Sequence, residues 1–209
     1  MSLFVSFEGI DRAGKSTQAA LLVEALGARA LLVREPGGTP VGERVRALLK
    51  DPAIAMVDRT EALLFAAGRA ELVEAVVRPA LAEGRIVVCD RFLDSSLAYQ
   101  GDARGLGVRA VAEVNRWATG GLAPDLTLLL SMDVEDAGAR AGEDDRFEAE
   151  GASLQARVGA AYERLAAAEP DRWRRVAADR PAAEVHADVR AAVDEALAAR
   201  GAGPRGAPA

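Results

Sequence analysis

A short loop near the amino terminus carries residues suited to binding a nucleotide phosphate. The run Gly9-Ile-Asp-Arg-Ala-Gly-Lys15-Ser16 has the spacing of a phosphate-binding loop, whose glycines let backbone N–H groups curl around phosphate oxygens at a helix start. In such a loop Lys15 reaches the β- and γ-phosphates and Ser16 ligates Mg²⁺. We therefore predict a site for a nucleoside triphosphate with Mg²⁺, with contacts from Gly9, Ile10, Asp11, Arg12, Ala13, Gly14, Lys15, Ser16 and Thr17.

A second charged pair, Asp90 and Arg91, directly follows the apolar run Ile86-Val-Val-Cys89. An acid at the end of a buried strand beside a phosphate-binding loop can orient Mg²⁺ or its water shell, and an arginine there can bridge two phosphate groups. We predict Asp90 and Ser16 as metal ligands. Taken alone, an Asp-Arg pair is more often a solvated strand end.

Two pairs of side chains lie four residues apart in stretches with helical patterns, and each pair can therefore share one helix face. Phe65 and Arg69 place an aromatic ring beside a guanidinium, which suits a base with carbonyl acceptors. Ser96 and Gln100 form the other pair, and the Gln100 amide offers both a donor and an acceptor to a pyrimidine edge. For Phe65 the alternative of a core residue stays open.

Strand and helix patterns alternate along the chain and predict the elements that must position these residues. The predicted strands are Leu3 to Phe7, Ala30 to Val33, Ile86 to Cys89, Leu126 to Leu130 and Trp173 to Ala177. The predicted helices cover 18–26, 41–50, 59–82, 108–118, 154–168 and 182–199, with a kink or end near Pro79. This alternation is typical of an α/β fold with a doubly wound parallel sheet.

Composition and charge limit the class of protein. The length of 209 residues fits one domain, predicted over residues 1–200, with a flexible small-residue tail at 201–209. A net charge of −6 argues against a broad basic surface for nucleic acid, and we expect no nucleic-acid partner. The single cysteine, Cys89, excludes an intrachain disulfide. We find no signal-peptide or membrane-spanning pattern and expect a cytoplasmic protein. Trp117 and Trp173 are predicted packing residues.

Taken together, the motifs resemble those of the bacterial thymidylate kinases over almost the whole chain. The matching segments are the phosphate-binding loop, Arg34-Glu-Pro-Gly-Gly-Thr39, Leu64-Phe-Ala-Ala-Gly-Arg69 and Asp90-Arg-Phe-Leu-Asp-Ser-Ser-Leu-Ala-Tyr-Gln100. The resemblance implies a P-loop kinase fold with a five-stranded parallel sheet flanked by helices on both faces and a short lid. It also implies a homodimer that uses ATP and Mg²⁺ to phosphorylate dTMP.

The resemblance assigns roles to individual residues of the acceptor site. It implies that Phe65 stacks on thymine and that Arg69 and Gln100 hydrogen-bond to its edge. The remaining implied contacts are Ser96 and Tyr99 beside the base and sugar, Arg46 and Arg91 at the dTMP phosphate, Asp11 at the sugar 3′-hydroxyl, and Pro36 in the loop that shapes the base pocket.

The arginines depart from the usual bacterial pattern. Many bacterial members carry catalytic arginines in the lid, whereas here Arg12 lies in the phosphate-binding loop, a placement that resembles the eukaryotic type. Within the predicted lid, about 138–151, the stretch 138–148 holds only Arg140 and Arg146 against four acidic residues. We therefore predict Arg12, Lys15, Asp90 and Arg91 as catalytic, and Arg140 and Arg146 as further ATP contacts.

Two other functions stay open at this stage. A kinase for another nucleoside or nucleoside monophosphate would need the same phosphate-binding loop and lid. A regulatory module that binds a nucleoside triphosphate without catalysis would need no acceptor site. Arg69 and Gln100 favour a pyrimidine acceptor.

Overall fold

A parallel sheet forms the centre of the computed structural model, which describes residues 1–140 and 151–202. Its strands are β1 (Leu3–Glu8), β2 (Ala30–Arg34), β3 (Ile86–Asp90), β4 (Leu126–Ser131) and β5 (Trp173–Ala177). They pair in the order β2-β3-β1-β4-β5, and every pairing is parallel. The predicted five-stranded parallel sheet is therefore confirmed, and each predicted strand is present to within one residue at its ends.

Helices cover both faces of the sheet, which explains why the central strands β3, β1 and β4 are mainly apolar. Alternate residues of β1 enter two separate cores: Leu3, Val5 and Phe7 pack on one face, and Phe4 packs on the other. The helices are α1 (Lys15–Leu26), α2 (Pro40–Lys50), α3 (Asp58–Leu72), α4 (Arg78–Ala82), α5 (Leu93–Ser96), α6 (Val108–Ala118), α7 (Val134–Gly138), α8 (Gly151–Ala168) and α9 (Ala182–Ala202).

The helix predicted over 59–82 is not one regular helix. A π turn at Val73–Val77 separates α3 from α4, and Pro79 lies in the first turn of α4. Proline has no N–H to donate and its ring crowds the carbonyl one turn earlier, so a wider turn at this point accommodates it. A second π turn, Leu97–Ala103, follows α5 directly and extends the short helical stretch beyond Gln100.

One packing prediction is wrong. Trp173 is buried, as expected, but 84% of Trp117 is exposed. The inward side of α6 is formed by Val111, Asn115 and Ala118, and Trp117 lies on the outward side of the same helix. Helical periodicity alone did not identify which side of α6 carries this ring.

Parts of the predicted lid and tail, residues 141–150 and 203–209, lie outside the described residues. The single domain over 1–200, the lid and the flexible tail stay predictions. Across the described ranges, no helix combines the length and the apolar character needed to cross a bilayer.

Candidate active site

The carboxyl ends of β1, β2 and β3 and the segments that follow them surround a cavity of about 420 Å³. This is the edge of an open parallel sheet where ligands usually bind. Twelve residues predicted for the site line it, namely Asp11, Arg12, Lys15, Ser16, Pro36, Arg46, Phe65, Asp90, Arg91, Ser96, Tyr99 and Gln100. The lining also includes Arg34, Glu35, Lys50 and Ser95, which the sequence analysis did not propose.

The loop between β1 and α1 depends on two glycines for its shape. Gly9 has φ 141°, and a Cβ there would lie 2.6 Å from the carbonyl oxygen of Leu130. Gly14 caps α1 with φ 94°, a left-handed conformation that glycine adopts without steric cost. The loop therefore turns sharply back toward the sheet and directs the amino terminus of α1 at the cavity.

Lys15 is held over the loop that precedes it. Its Nζ donates to the carbonyl oxygen of Ile10 at 2.6 Å, and only 6% of the residue is exposed. Burial and the neighbouring Arg91 guanidinium lower the pKa of Lys15 to about 8. A bound phosphate would supply negative charge at this position and favour the protonated lysine.

Ser16 and Asp90 form an oxygen pair beside the loop. The Ser16 hydroxyl donates to Asp90 Oδ2 at 2.5 Å across the junction between α1 and β3. Mg²⁺ binds oxygen ligands and usually keeps waters and substrate phosphates in its coordination shell. Nowhere in residues 1–140 and 151–202 do three His, Cys, Asp or Glu side chains cluster as a metal cage. Two protein oxygens beside a phosphate-binding loop fit Mg²⁺ carried in with a nucleotide.

Arg91 lines the cavity and is held by several acceptors. Its backbone has φ 68°, and its guanidinium donates to the Gly9 carbonyl at 3.1 Å and forms an ion pair with Asp11. The guanidinium also lies 5.3 Å from the ring centre of Tyr99. Burial alone would raise the pKa of Asp11, but the positive charges of Arg91 and Lys15 outweigh it and lower that pKa overall.

Behind Arg91, a buried network is organised by Glu8, a residue that the sequence analysis missed. The fully buried Glu8 carboxylate accepts from the Phe92 backbone N–H at 2.8 Å, from Ser95 Oγ at 2.6 Å and from the Tyr162 hydroxyl at 3.0 Å. Ser95 and Tyr162 in turn each lie 3.2 Å from Arg91 Nη1. Glu8 therefore positions the turn that carries Arg91. The position of this acidic residue at the end of a predicted strand, directly before the phosphate-binding loop, was the signal in the sequence that could have identified it.

Arg69 lies one layer behind the cavity wall. Its guanidinium is 1% exposed and donates to Glu35 Oε2 at 2.7 Å, to Ser96 Oγ at 3.1 Å and to the Phe92 carbonyl at 3.2 Å. It also donates to the Asn115 side chain. Burial raises the pKa of Glu35, and the ion pair with Arg69 opposes that shift. The predicted base contact of Arg69 is therefore indirect in this arrangement, because Ser96 and Glu35 line the cavity in front of it.

Arg12 and Arg140 connect the phosphate-binding loop to the end of α7. Arg12 Nη1 donates to the carbonyl oxygen of Arg140 at 3.0 Å, and Arg140 Nη1 donates to that of Arg12 at 3.3 Å. Arg140 also donates to the Ala178 carbonyl at 2.8 Å, beyond the end of β5. Arg146 lies outside the described residues.

Comparison with known proteins identifies the family. A family model described as Thymidylate kinase matches residues 7–189. The thymidylate kinase of Symbiobacterium thermophilum is 49% identical over 98% of this chain and 100% of that protein. The chain belongs to the thymidylate kinase family. The thymidylate kinase of Deinococcus radiodurans is 45% identical, over 92% of this chain and 97% of that protein.

A solved structure supports the thymidylate kinase fold independently. The crystal structure of thymidylate kinase from Ehrlichia chaffeensis superposes with a TM-score of 0.78 at 31% sequence identity. The superposition covers 92% of this chain and 98% of that one. The resemblance inferred from the motifs and the predicted P-loop kinase fold are both confirmed.

The Glu8 network in this thymidylate kinase family member predicts a pH-dependent stability. Burial, and next the negative charge of Asp94, raise the pKa of Glu8 to about 7. In the unfolded chain Glu8 ionises near its ordinary pKa of about 4.5, whereas the folded protein keeps this proton up to a pH of about 7. The free energy of unfolding of the wild type therefore falls as the pH rises from about 4.5 to 7. In Glu8→Gln the side chain at this position does not ionise, so the variant lacks this decrease in the free energy of unfolding.

We therefore expect the stability of Glu8→Gln relative to wild type to increase by about 3 kcal/mol between pH 4.5 and 8. Urea unfolding of both proteins across this range measures the difference, and Glu163→Gln, on an exposed salt bridge with Arg175, is the control. A stability difference that does not change with pH would exclude the raised pKa of Glu8.

Proposed function

We propose that this protein transfers the γ-phosphoryl group of MgATP to dTMP, producing dTDP and ADP. One observation carries the proposal: a single cavity joins the phosphate-binding residues Lys15 and Ser16 to a pocket lined by Phe65 and Gln100. A triphosphate site alone would suit many functions. The continuous cavity supports two ligands bound end to end, with Arg91 between them.

The triphosphate end of the cavity is proposed to bind ATP through the loop from Gly9 to Thr17. Ser16 and Asp90 would hold Mg²⁺, which supplies charge neutralisation at the phosphates when it is bound. Lys15 would contact the β- and γ-phosphates after leaving the Ile10 carbonyl that it contacts at 2.6 Å. Arg140, and Arg146 in the predicted lid, are proposed ATP contacts.

The acceptor end is proposed to bind dTMP. Phe65 lines the cavity from α3 and is proposed to stack on the base, and Gln100, which also lines the cavity, is proposed to contact its edge. Arg46 donates to the Pro36 carbonyl at 3.0 Å, so the proposed phosphate contact and the loop that shapes the pocket are joined. Other proposed contacts are Arg91 at the phosphate, Asp11 at the 3′-hydroxyl, and Ser96 and Tyr99 beside the base and sugar, with Arg69 supporting the base pocket from behind.

The proposed reaction needs no protein base, because the nucleophile is an anionic phosphate oxygen of dTMP. This oxygen attacks the γ-phosphorus in line, the bond to the β,γ-bridging oxygen breaks, and ADP leaves with that electron pair. The two substrates repel each other, so catalysis consists of positioning and charge neutralisation. Lys15, Arg91 and Arg12 are proposed to supply that charge, Arg12 at the transferring group.

We also propose a cytoplasmic homodimer. Neighbouring helices on one side of the molecule carry exposed apolar side chains: Val41 and Leu48 on α2, Leu63 on α3, and Val114 and Trp117 on α6. Exposed apolar side chains grouped on neighbouring helices fit a protein interface. A second copy of the chain would cover them.

The acceptor prediction is tested by measuring ADP formation from MgATP with the purified protein. We expect dTMP to stimulate turnover more than dUMP, dCMP, AMP or thymidine, each offered separately beside a control without acceptor. A different preferred acceptor would refute the base-pocket assignment. ATP binding without stimulation by any acceptor would favour a regulatory module.

Arg12→Ala is expected to lower kcat by about 10³-fold or more, since an arginine that stabilises the transferring phosphoryl group typically contributes that factor. The KM for dTMP should change little, because the acceptor pocket does not include this side chain in the proposal. Steady-state kinetics measure both constants, and Arg109→Ala on the solvent side of α6 is the control. Normal turnover of Arg12→Ala would remove Arg12 from the catalytic set.

Trp117→Glu is expected to convert the dimer to a monomer, because a carboxylate would replace the most exposed apolar ring of the proposed interface. Light scattering with size-exclusion chromatography would then report about one 21.8 kDa chain instead of two. Leu32→Glu, at an exposed apolar position on the edge strand β2, should remain dimeric. A monomeric wild type would refute the homodimer.

A further inference from the structure

The amide of Gln100 has a defined orientation. Its Nε2 donates to Glu61 Oε1 at 2.8 Å, and both residues are at most 1% exposed. A carboxylate accepts hydrogen bonds and donates none, so the nitrogen end of the amide must face Glu61. Gln100 also lines the cavity, so the carbonyl oxygen Oε1, at the opposite end of its amide from Glu61, is the acceptor that it offers to a ligand there.

Glu61 is itself held by Arg104. Arg104 Nε donates to Glu61 Oε1 at 2.6 Å, and Nη2 donates to Oε2 at 3.1 Å. A two-point contact with a guanidinium fixes the plane of the carboxylate, and a guanidinium only donates. Arg104 is anchored in turn, since its backbone N–H donates to the Tyr99 carbonyl at 2.9 Å at the end of the π turn that carries Gln100. The three side chains therefore form one chain with a single direction of donation, from Arg104 and Gln100 into Glu61.

The fixed orientation of the Gln100 amide determines which bases can pair with it. An acceptor oxygen at the edge of the pocket pairs with a base that offers an N–H, as the imide of thymine or uracil does at N3. Cytosine presents an unprotonated N3 at the same position, and two acceptors would face each other. A buried polar site rejects a partner of the wrong polarity because its own group loses its hydrogen bond.

We propose that Glu61, oriented by Arg104, is a specificity-determining positioning residue that fixes the Gln100 amide with its carbonyl toward the base and so selects an imide over a cytosine-type base. The inference rests on the proposed function and adds to it the basis of the choice between pyrimidines. Glu61 touches no substrate in this proposal and acts through Gln100.

The test compares two acceptors that differ only at the base edge, dTMP and 5-methyl-dCMP. Both carry the 5-methyl group, so stacking and pocket shape are matched. The ratio of their kcat/KM values is measured for wild type, Glu61→Met, Arg104→Gln and Asp58→Asn. A smaller fraction of active protein lowers both kcat/KM values equally and cancels in their ratio. If Glu61 had only a structural role, the ratio would therefore stay unchanged.

Glu61→Met keeps the side-chain length but removes the acceptor, so the Gln100 amide is free to turn. We expect the preference for dTMP over 5-methyl-dCMP to fall by about tenfold, the factor associated with one hydrogen bond. Arg104→Gln keeps the Glu61 carboxylate but loosens it, and a smaller fall in the same direction is expected. Asp58→Asn alters only a half-exposed group 3.7 Å from Arg104 and should keep the wild-type ratio.

The outcomes separate this inference from the proposed function. An active wild type whose preference is unchanged in both Glu61→Met and Arg104→Gln would overturn the inference and leave the kinase activity in place. A wild type that phosphorylates neither acceptor would overturn the proposed function and the inference with it. Should Glu61→Met not fold, Arg104→Gln alone decides, since the expected direction is the same.

Discussion

Parallel pairing of β1 with β3 is the interaction on which the cavity depends. Its register places Phe7 opposite Asp90, so the next residues, Glu8 at the end of β1 and Arg91 directly after β3, lie side by side. The Arg91 backbone N–H donates to the Phe7 carbonyl at 3.0 Å and continues the pairing by one residue. A shift in register would separate the phosphate-binding loop from Asp90 and Arg91 together. The apolar strands that specify this register therefore also specify the chemistry.

Several charged side chains lie close together in the cavity, which would be unfavourable if the cations had no anionic partners. Lys15 and Arg91 share one buried space, and Arg91 contributes to lowering the pKa of Lys15. Asp11 pairs with Arg91, and Ser16 with Asp90, so each polar group has an orientation before any nucleotide arrives. Charges that are already oriented lose little on binding, although Lys15 has to leave the Ile10 carbonyl to contact the phosphates in the proposed complex. The chain's overall charge of −6 is compatible with this local arrangement.

The sequence predicted the parts of the site that follow local rules. A phosphate-binding loop is contiguous, and its strand and helix are visible as patterns on either side, so the loop and the sheet could be predicted. Glu8 was missed because it belongs to a buried strand, and nothing local shows that Ser95 and Tyr162 fold against it. Glu61 and Gln100 are 39 residues apart in the chain, and their hydrogen bond is a product of tertiary packing. The spacing of Phe65 and Arg69 predicted a shared helix face but not the depth of each side chain. Phe65 reaches the cavity wall, whereas Arg69 is held behind it by Glu35.

The base pocket is supported by two buried carboxylates. Glu35, directly after β2, accepts from Arg69, and Glu61, on α3, accepts from Gln100. Each carboxylate removes the freedom of a side chain that could otherwise adopt several rotamers, and Glu61 is in turn held by Arg104. Buried ion pairs seldom add net stability, because the desolvation of both partners offsets their attraction. The value of Glu61 is directional: its carboxylate accepts only, so the polarity of the Gln100 amide in front of it is fixed. A pocket lined by the same residues without this rear layer could bind a pyrimidine, but its amide could turn to suit either base.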